Sequence, residues 1–133
     1  MTLRLLLIVA AIVFVIFGLG LLLVPAQLMA PYGVALDPAG ELMGRLGGQA
    51  LIGLAIAFWY ARDTDVKAAM SPAMKGVLYG GCTFNIIGFI VALWATLTGQ
   101  MGPGGWIAVA IHAVIGAGFL YYADFSRRAA MAA

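Results

Sequence analysis

From Gly76 to Ala123 the chain carries no Asp, Glu, Lys or Arg, a run of 48 residues. A helix of about 20 residues crosses the hydrocarbon core of a bilayer, so this run is too long for one span and suits two. Its middle, Gly99-Gln100-Met101-Gly102-Pro103-Gly104-Gly105, is built from chain-punctuating residues and divides it into one helix ending near Thr98 and another starting near Trp106. A second uncharged run, Leu5 to Val24, has 20 residues and stops at Pro25, which helix interiors tolerate poorly. With Arg4 before it and Val24-Pro25-Ala26 after it, this run also has the outline of a secretory signal. It exceeds a typical signal core, however, and reads as a span.

The remaining span is marked by its start. Asp37-Pro38 pairs an N-cap residue with proline at the first helical position, which predicts a helix from Pro38 to about Tyr60. Only the 16 residues from Leu46 to Ala61 are free of charge, about 24 Å of helix, so Arg45 must lie near one bilayer surface. Ser71-Pro72 repeats the start signal ahead of the long uncharged run. The expected architecture is all-α: one integral membrane domain, residues 1–133, forming a four-transmembrane-helix bundle with spans near 5–24, 42–61, 76–98 and 106–123. Composition agrees, since the chain is 65% hydrophobic and 9% charged, whereas soluble domains are about a quarter charged. A small fold cannot hide that much apolar surface from water.

With four alternating spans, Arg4, Arg62, Lys67, Lys75, Arg127 and Arg128 fall on one side and Arg45 alone lies near the other. The positive-inside rule then places both termini in the cytoplasm of a bacterial inner membrane. Trp59, Tyr60, Tyr79, Tyr121 and Tyr122 fall near the inner interface and Trp94 and Trp106 near the outer one, as aromatic belts do. Ala50-Leu51-Ile52-Gly53 is echoed by Ala113-Val114-Ile115-Gly116, which suits either a parallel duplication of a helix pair or chance recurrence in a low-complexity apolar sequence.

Several function classes are disfavoured. A net charge of +2 without a basic, aromatic-interleaved run argues against nucleic-acid binding. Cys82 is the only cysteine, so one chain holds no disulfide, paired-thiol redox motif or cysteine-based zinc site. His112 is the only histidine, so one chain cannot hold a haem between two histidines. No metal-ligand spacing, phosphate loop or nucleophile elbow is present, and no carboxylate lies deep in a span. No catalytic or metal-binding residue is assigned, and catalysis by this chain alone is not expected.

In lipid, helices associate through small residues and interhelical hydrogen bonds. Gly44 and Gly48, Gly53 and Ala57, and Gly76 and Gly80 have the four-residue spacing that exposes backbone to a neighbour; Gly81 and Gly88 flank Asn85, and Gly116 closes the second echo. These glycines are expected to pack helices. The candidate ligand-binding residues are the polar ones within or beside the spans: Glu41, Arg45, Gln49, Asn85 and His112. Glu41, Arg45 and Gln49 recur every four residues on one stripe, and His112 lies at a depth similar to Gln49, so the geometry allows a pocket opening outward between them. The plainer expectation is that Arg45 snorkels beside Glu41, that Gln49 and Asn85 join helices, and that His112 is a satisfied core imidazole.

The stretch Glu41-Leu-Met-Gly-Arg45-Leu-Gly47-Gly48-Gln-Ala-Leu-Ile-Gly53-Leu resembles the second helix of DoxX-like and related four-helix bacterial membrane proteins. That resemblance implies association with oxidoreductase or quinone-linked membrane complexes, and among site residues it bears on Glu41, Arg45, Gly47 and Gly48. Three functions are open from the sequence: a noncatalytic accessory subunit or apolar-ligand binder of a larger redox-linked membrane complex; a quinone binder using Glu41, Arg45, Gln49 and His112; and a homo-oligomeric transporter or channel. The expected surroundings are the lipid bilayer and a membrane protein partner or further copies of the chain, with quinone or lipid as ligand.

Overall fold

A computed structural model describes residues 2–64 and 71–131, with side chains described as far as residue 124; Lys67 and the side chains of Arg127 and Arg128 therefore lie outside the described residues. Four long helices, α1 (Leu3–Leu23), α3 (Pro38–Ala61), α4 (Pro72–Leu97) and α5 (Gly105–Met131), are each long and apolar enough to cross a membrane, and a short helix α2 (Pro25–Met29) follows α1. The chain is a multi-pass, all-α membrane protein.

Local chemistry sets the helix starts. Thr2 caps α1 by accepting from the Leu5 amide at 3.2 Å, Asp37 caps α3 by accepting from the Gly40 amide at 2.7 Å, and Ser71 caps α4 by accepting from the Met74 amide at 3.2 Å. Pro38 and Pro72 occupy first-turn positions, where the missing amide proton costs nothing. Pro25 also begins a helix: Val24 leaves helical geometry and Pro25 opens α2. The apolar connection is therefore mostly helical, since Ala30–Tyr32 adds a 3-10 turn closed by Gly33 at φ +72°.

The ends pair as alternating helices require. At one face, Arg4 contacts Asp63 at 3.3 Å, and Arg62 contacts Asp63 at 3.3 Å while its guanidinium lies 3.9 Å from the Trp59 ring centre. At the other face, the Gly102 amide donates to the Tyr32 carbonyl at 2.7 Å, fastening the α4–α5 turn to the 3-10 turn.

Two pairs, α1 with α3 and α4 with α5, account for most helix contacts. The first closes through bare backbone: a Cβ on Gly48 would lie 2.6 Å from the Gly18 carbonyl oxygen, and one on Gly18 would lie 2.9 Å from the Gly48 carbonyl oxygen. Between the pairs the contact is aromatic. Phe14 of α1 meets Phe84 of α4 with ring centres 4.9 Å apart and Phe58 of α3 meets Phe119 of α5 at 5.1 Å, and Phe14 and Phe58, 5.4 Å apart within the first pair, link the two contacts. The buried core, from Leu3, Leu6, Leu7, Ala10 and Phe14 across to Leu78, Cys82 and Phe119, occupies the half of the bundle nearest Arg4. The other half packs around glycines and a cavity.

Candidate functional site

The polar residues of the spans form two pairs and one isolated side chain. On α3, an Arg45 nitrogen donates to a Glu41 carboxylate oxygen at 3.0 Å, one helical turn away, with both side chains about a third to two-fifths exposed. Such a pair contributes little to stability. Gln49 is exposed and joins neither pair.

Asn85 and His112 come together 27 residues apart in sequence. Asn85 is fully buried on α4; its Nδ2 donates to the Gly81 carbonyl at 2.8 Å, and its Oδ1 lies 3.2 Å from Nδ1 of His112 on α5. Glycines make room on both helices. A Cβ at Gly88 would lie 2.5 Å from Cε1 and 2.7 Å from each ring nitrogen of His112, and a Cβ at Gly116 would lie 3.1 Å from the Asn85 Cβ. Phe119 sits against Gly81 in the same way. Gly81, Asn85 and Gly88 thus form one face of α4, notched above and below the amide, into which α5 sets Phe119 and His112.

Gly48 and Gly44 also meet neighbours, Gly44 lying 3.3 Å from Pro25 when given a Cβ. Gly53 and Gly80 do not, since a Cβ at either would meet nothing within 4 Å. Gly53 is open whereas its echo Gly116 is buried, so the two repeats of the sequence motif do different work.

His112 borders two cavities. One, of about 210 Å³, lies between the helix pairs and draws its wall from all four spans: Val13, Phe14, Phe17 and Leu21, then Leu51, then Phe84, then Ala108, Ile111 and His112. Histidine is its only polar residue. The other, about 230 Å³ and more open, runs along the α4–α5 seam beside Asn85, Phe89, His112 and Leu120. Glu41, Arg45 and Gln49 line neither, so the stripe on α3 and the polar pair do not make one pocket.

The rings that bridge the helix pairs were not marked as site residues by the sequence. Phe84 lies 6.0 Å from the His112 ring and packs on Phe14, so it joins the polar pair to the aromatic core. A phenylalanine in an apolar span carries no sequence signal for the direction it faces. Among the described residues no group of His, Cys, Asp and Glu converges as metal ligands. Comparison with known families, with curated proteins and with solved structures returns no match for this chain.

Proposed function

We propose that the protein is a noncatalytic membrane-embedded binder that takes a small, mostly apolar molecule from the bilayer into the cavity between its helix pairs. The observation that carries this reading is the cavity of about 210 Å³ walled by all four spans with a single imidazole in its lining. An apolar protein cavity of about 150 Å³ is enough to take up benzene, so this one accepts a single ring with short substituents. Ligand sites of this type are apolar with a few placed polar groups, and His112 is positioned as that group. The larger groove along Ala11, Val15, Ala55 and Trp59, about 270 Å³, is shallower and has no histidine, amide or charge in its wall.

The reading takes the face of Arg4, Arg62 and Lys75 as cytoplasmic in a bacterial inner membrane, from the cation asymmetry. The DoxX-like resemblance suggests that the ligand or partner belongs to a quinone-linked membrane complex. A role as accessory subunit is favoured by one further observation: Gly47 and Gly53 of α3 and Gly76 and Gly80 of α4 face open space, leaving backbone accessible to a helix of another protein.

The test is native mass spectrometry of gently extracted protein, alongside a Leu51→Trp variant whose indole fills the cavity. Co-purifying small molecules should be present on the wild type and depleted on the variant. Equal ligand occupancy on both proteins would place the ligand elsewhere and defeat the proposal.

A further inference from the structure

The hydrogen bonds of the Asn85–His112 pair fix what kind of molecule the cavity selects, an inference that rests on the binding role proposed above. The Gly81 carbonyl can only accept, so the Asn85 group 2.8 Å from it must be the NH2 end of the amide. Oδ1 is therefore the atom that faces His112, and an amide oxygen can only accept. The contact of 3.2 Å to Nδ1 is a hydrogen bond only when Nδ1 carries the proton. A neutral imidazole has one proton, so Nε2 is left as a bare acceptor. Among the described residues Nε2 has no hydrogen-bonding partner, while every fully buried side-chain nitrogen or oxygen atom there does have one. Nε2 thus remains accessible, on a ring that borders both the cavity between the helix pairs and the α4–α5 groove.

We propose that the cavity selects a hydroxyl-bearing ring, such as a phenol or a quinol, over the same ring with only acceptors, such as an ether or a quinone. Glycine at position 88 is part of the device, because a Cβ there would displace the ring from Asn85 and release the tautomer. The selection operates through one side chain held by another: Asn85 is the positioning residue and His112 the contact residue. Carbonyl ligands lose in this arrangement because two acceptors face each other in a medium without water to separate them.

Two measurements test this on the full chain in nanodiscs. Because His112 is the only histidine, 15N labelling of histidine reads one imidazole; a protonated Nδ1 and an unprotonated Nε2 are expected, and the opposite tautomer would overturn the proposal without any variant being made. In the second, para-propylphenol and its methyl ether are titrated, with binding to protein-free nanodiscs subtracted. The phenol should bind about fivefold to tenfold more tightly, the size of one net neutral hydrogen bond. His112→Phe, which retains a ring but no acceptor, should bring the ratio close to one. Equal binding of both probes to the wild type would overturn the selection and leave the cavity reading standing, whereas binding of neither would overturn both.

Discussion

The contact between α1 and α3 makes a quantitative prediction, because it leaves no space for a single methyl group. In Gly48→Ala the new Cβ would sit 2.6 Å from the Gly18 carbonyl oxygen, 2.8 Å from the Leu22 amide nitrogen and 3.1 Å from the Leu21 Cβ. The first two are backbone atoms of a regular helix and cannot swing away. Ordinary contact begins near 3.4 Å, so α1 must retreat by about 0.8 Å along this line. A gap of that size forfeits a quarter to a half of each dispersion contact, at about 0.1–0.2 kcal/mol per atom pair. Spread over on the order of thirty to fifty pairs around the crossing, the loss is about 1–5 kcal/mol, a range that contains the usual overpacking penalties of about 1–3 kcal/mol. Replacing glycine by alanine in a helix returns up to about 1 kcal/mol through backbone entropy. With a loss near the middle of that range, about 2–3 kcal/mol, and about 1 kcal/mol returned, Gly48→Ala should destabilise by about 1–2 kcal/mol.

Gly53→Ala, on the same helix, isolates the second term. A Cβ there meets nothing within 4 Å, so only the propensity gain acts, and the variant should be unchanged or stabilised by up to about 1 kcal/mol. Reversible unfolding of the two variants and the wild type in mixed micelles, followed by far-UV circular dichroism against denaturing detergent, reads both signs in one series. Equal shifts in the same direction, or a Gly48→Ala protein more stable than wild type, would refute the close backbone approach of α1 and α3.

Other substitutions probe other contacts. Gly88→Ala should detach His112 from Asn85 while leaving α4 helical, seen as a change in the single imidazole 15N pattern with little change in circular dichroism. Glu41→Gln should shift unfolding by no more than about 0.5 kcal/mol, because a half-exposed pair one turn apart contributes little; a loss above about 2 kcal/mol would show a contact beyond Arg45. Burial pushes the Tyr32 hydroxyl above its ordinary value of 10.0. A raised value in the folded state means stability is fully present below the unfolded value and is lost as pH rises through the folded one, so the thermal midpoint should fall above about pH 10 and the fall should shrink in Tyr32→Phe.

Helix boundaries were legible in the sequence because they depend on local chemistry. Asp37-Pro38 and Ser71-Pro72 announce their helices through one side-chain oxygen and one fixed dihedral, and both caps are made as read. The Glu41–Arg45 pair was legible for the same reason, being one turn long. The rotation of each helix about its axis was not. In water an amphipathic stripe marks the inward face, but in these spans the outward faces are apolar too, so Gln49, at a depth similar to His112, gave no sign that it would face outward. Glycines were ambiguous in the same way. Gly48 and Gly53 look alike in sequence, and only the partner helix decides that one is a contact and the other open.

The cavity follows from how the two kinds of contact are distributed. Within each pair, glycine lets the helices come close: Gly18 and Gly48 bring backbone to backbone in one pair, while Gly81, Gly88 and Gly116 admit the Phe119, His112 and Asn85 side chains in the other. Between pairs, the spacing is set by rings, and Phe14 against Phe84 holds the two backbones apart by the width of two side chains. Phe58 and Phe119 fill that width toward the Arg4 face, where Leu6, Leu7 and Leu78 close the remaining volume. Beyond Phe14 the wall passes to Phe17, Leu21, Leu51, Ala108 and the His112 ring, of which only Phe17 matches the bulk of the paired phenylalanines. A separation fixed by large side chains at one level and lined by smaller ones at the next must leave a void. Phe84→Leu should therefore let the pairs close, shrinking the cavity and lowering probe affinity even though the substitution removes volume from its wall. An increase in affinity for para-propylphenol in that variant would show instead that the pairs are held apart by something other than the rings.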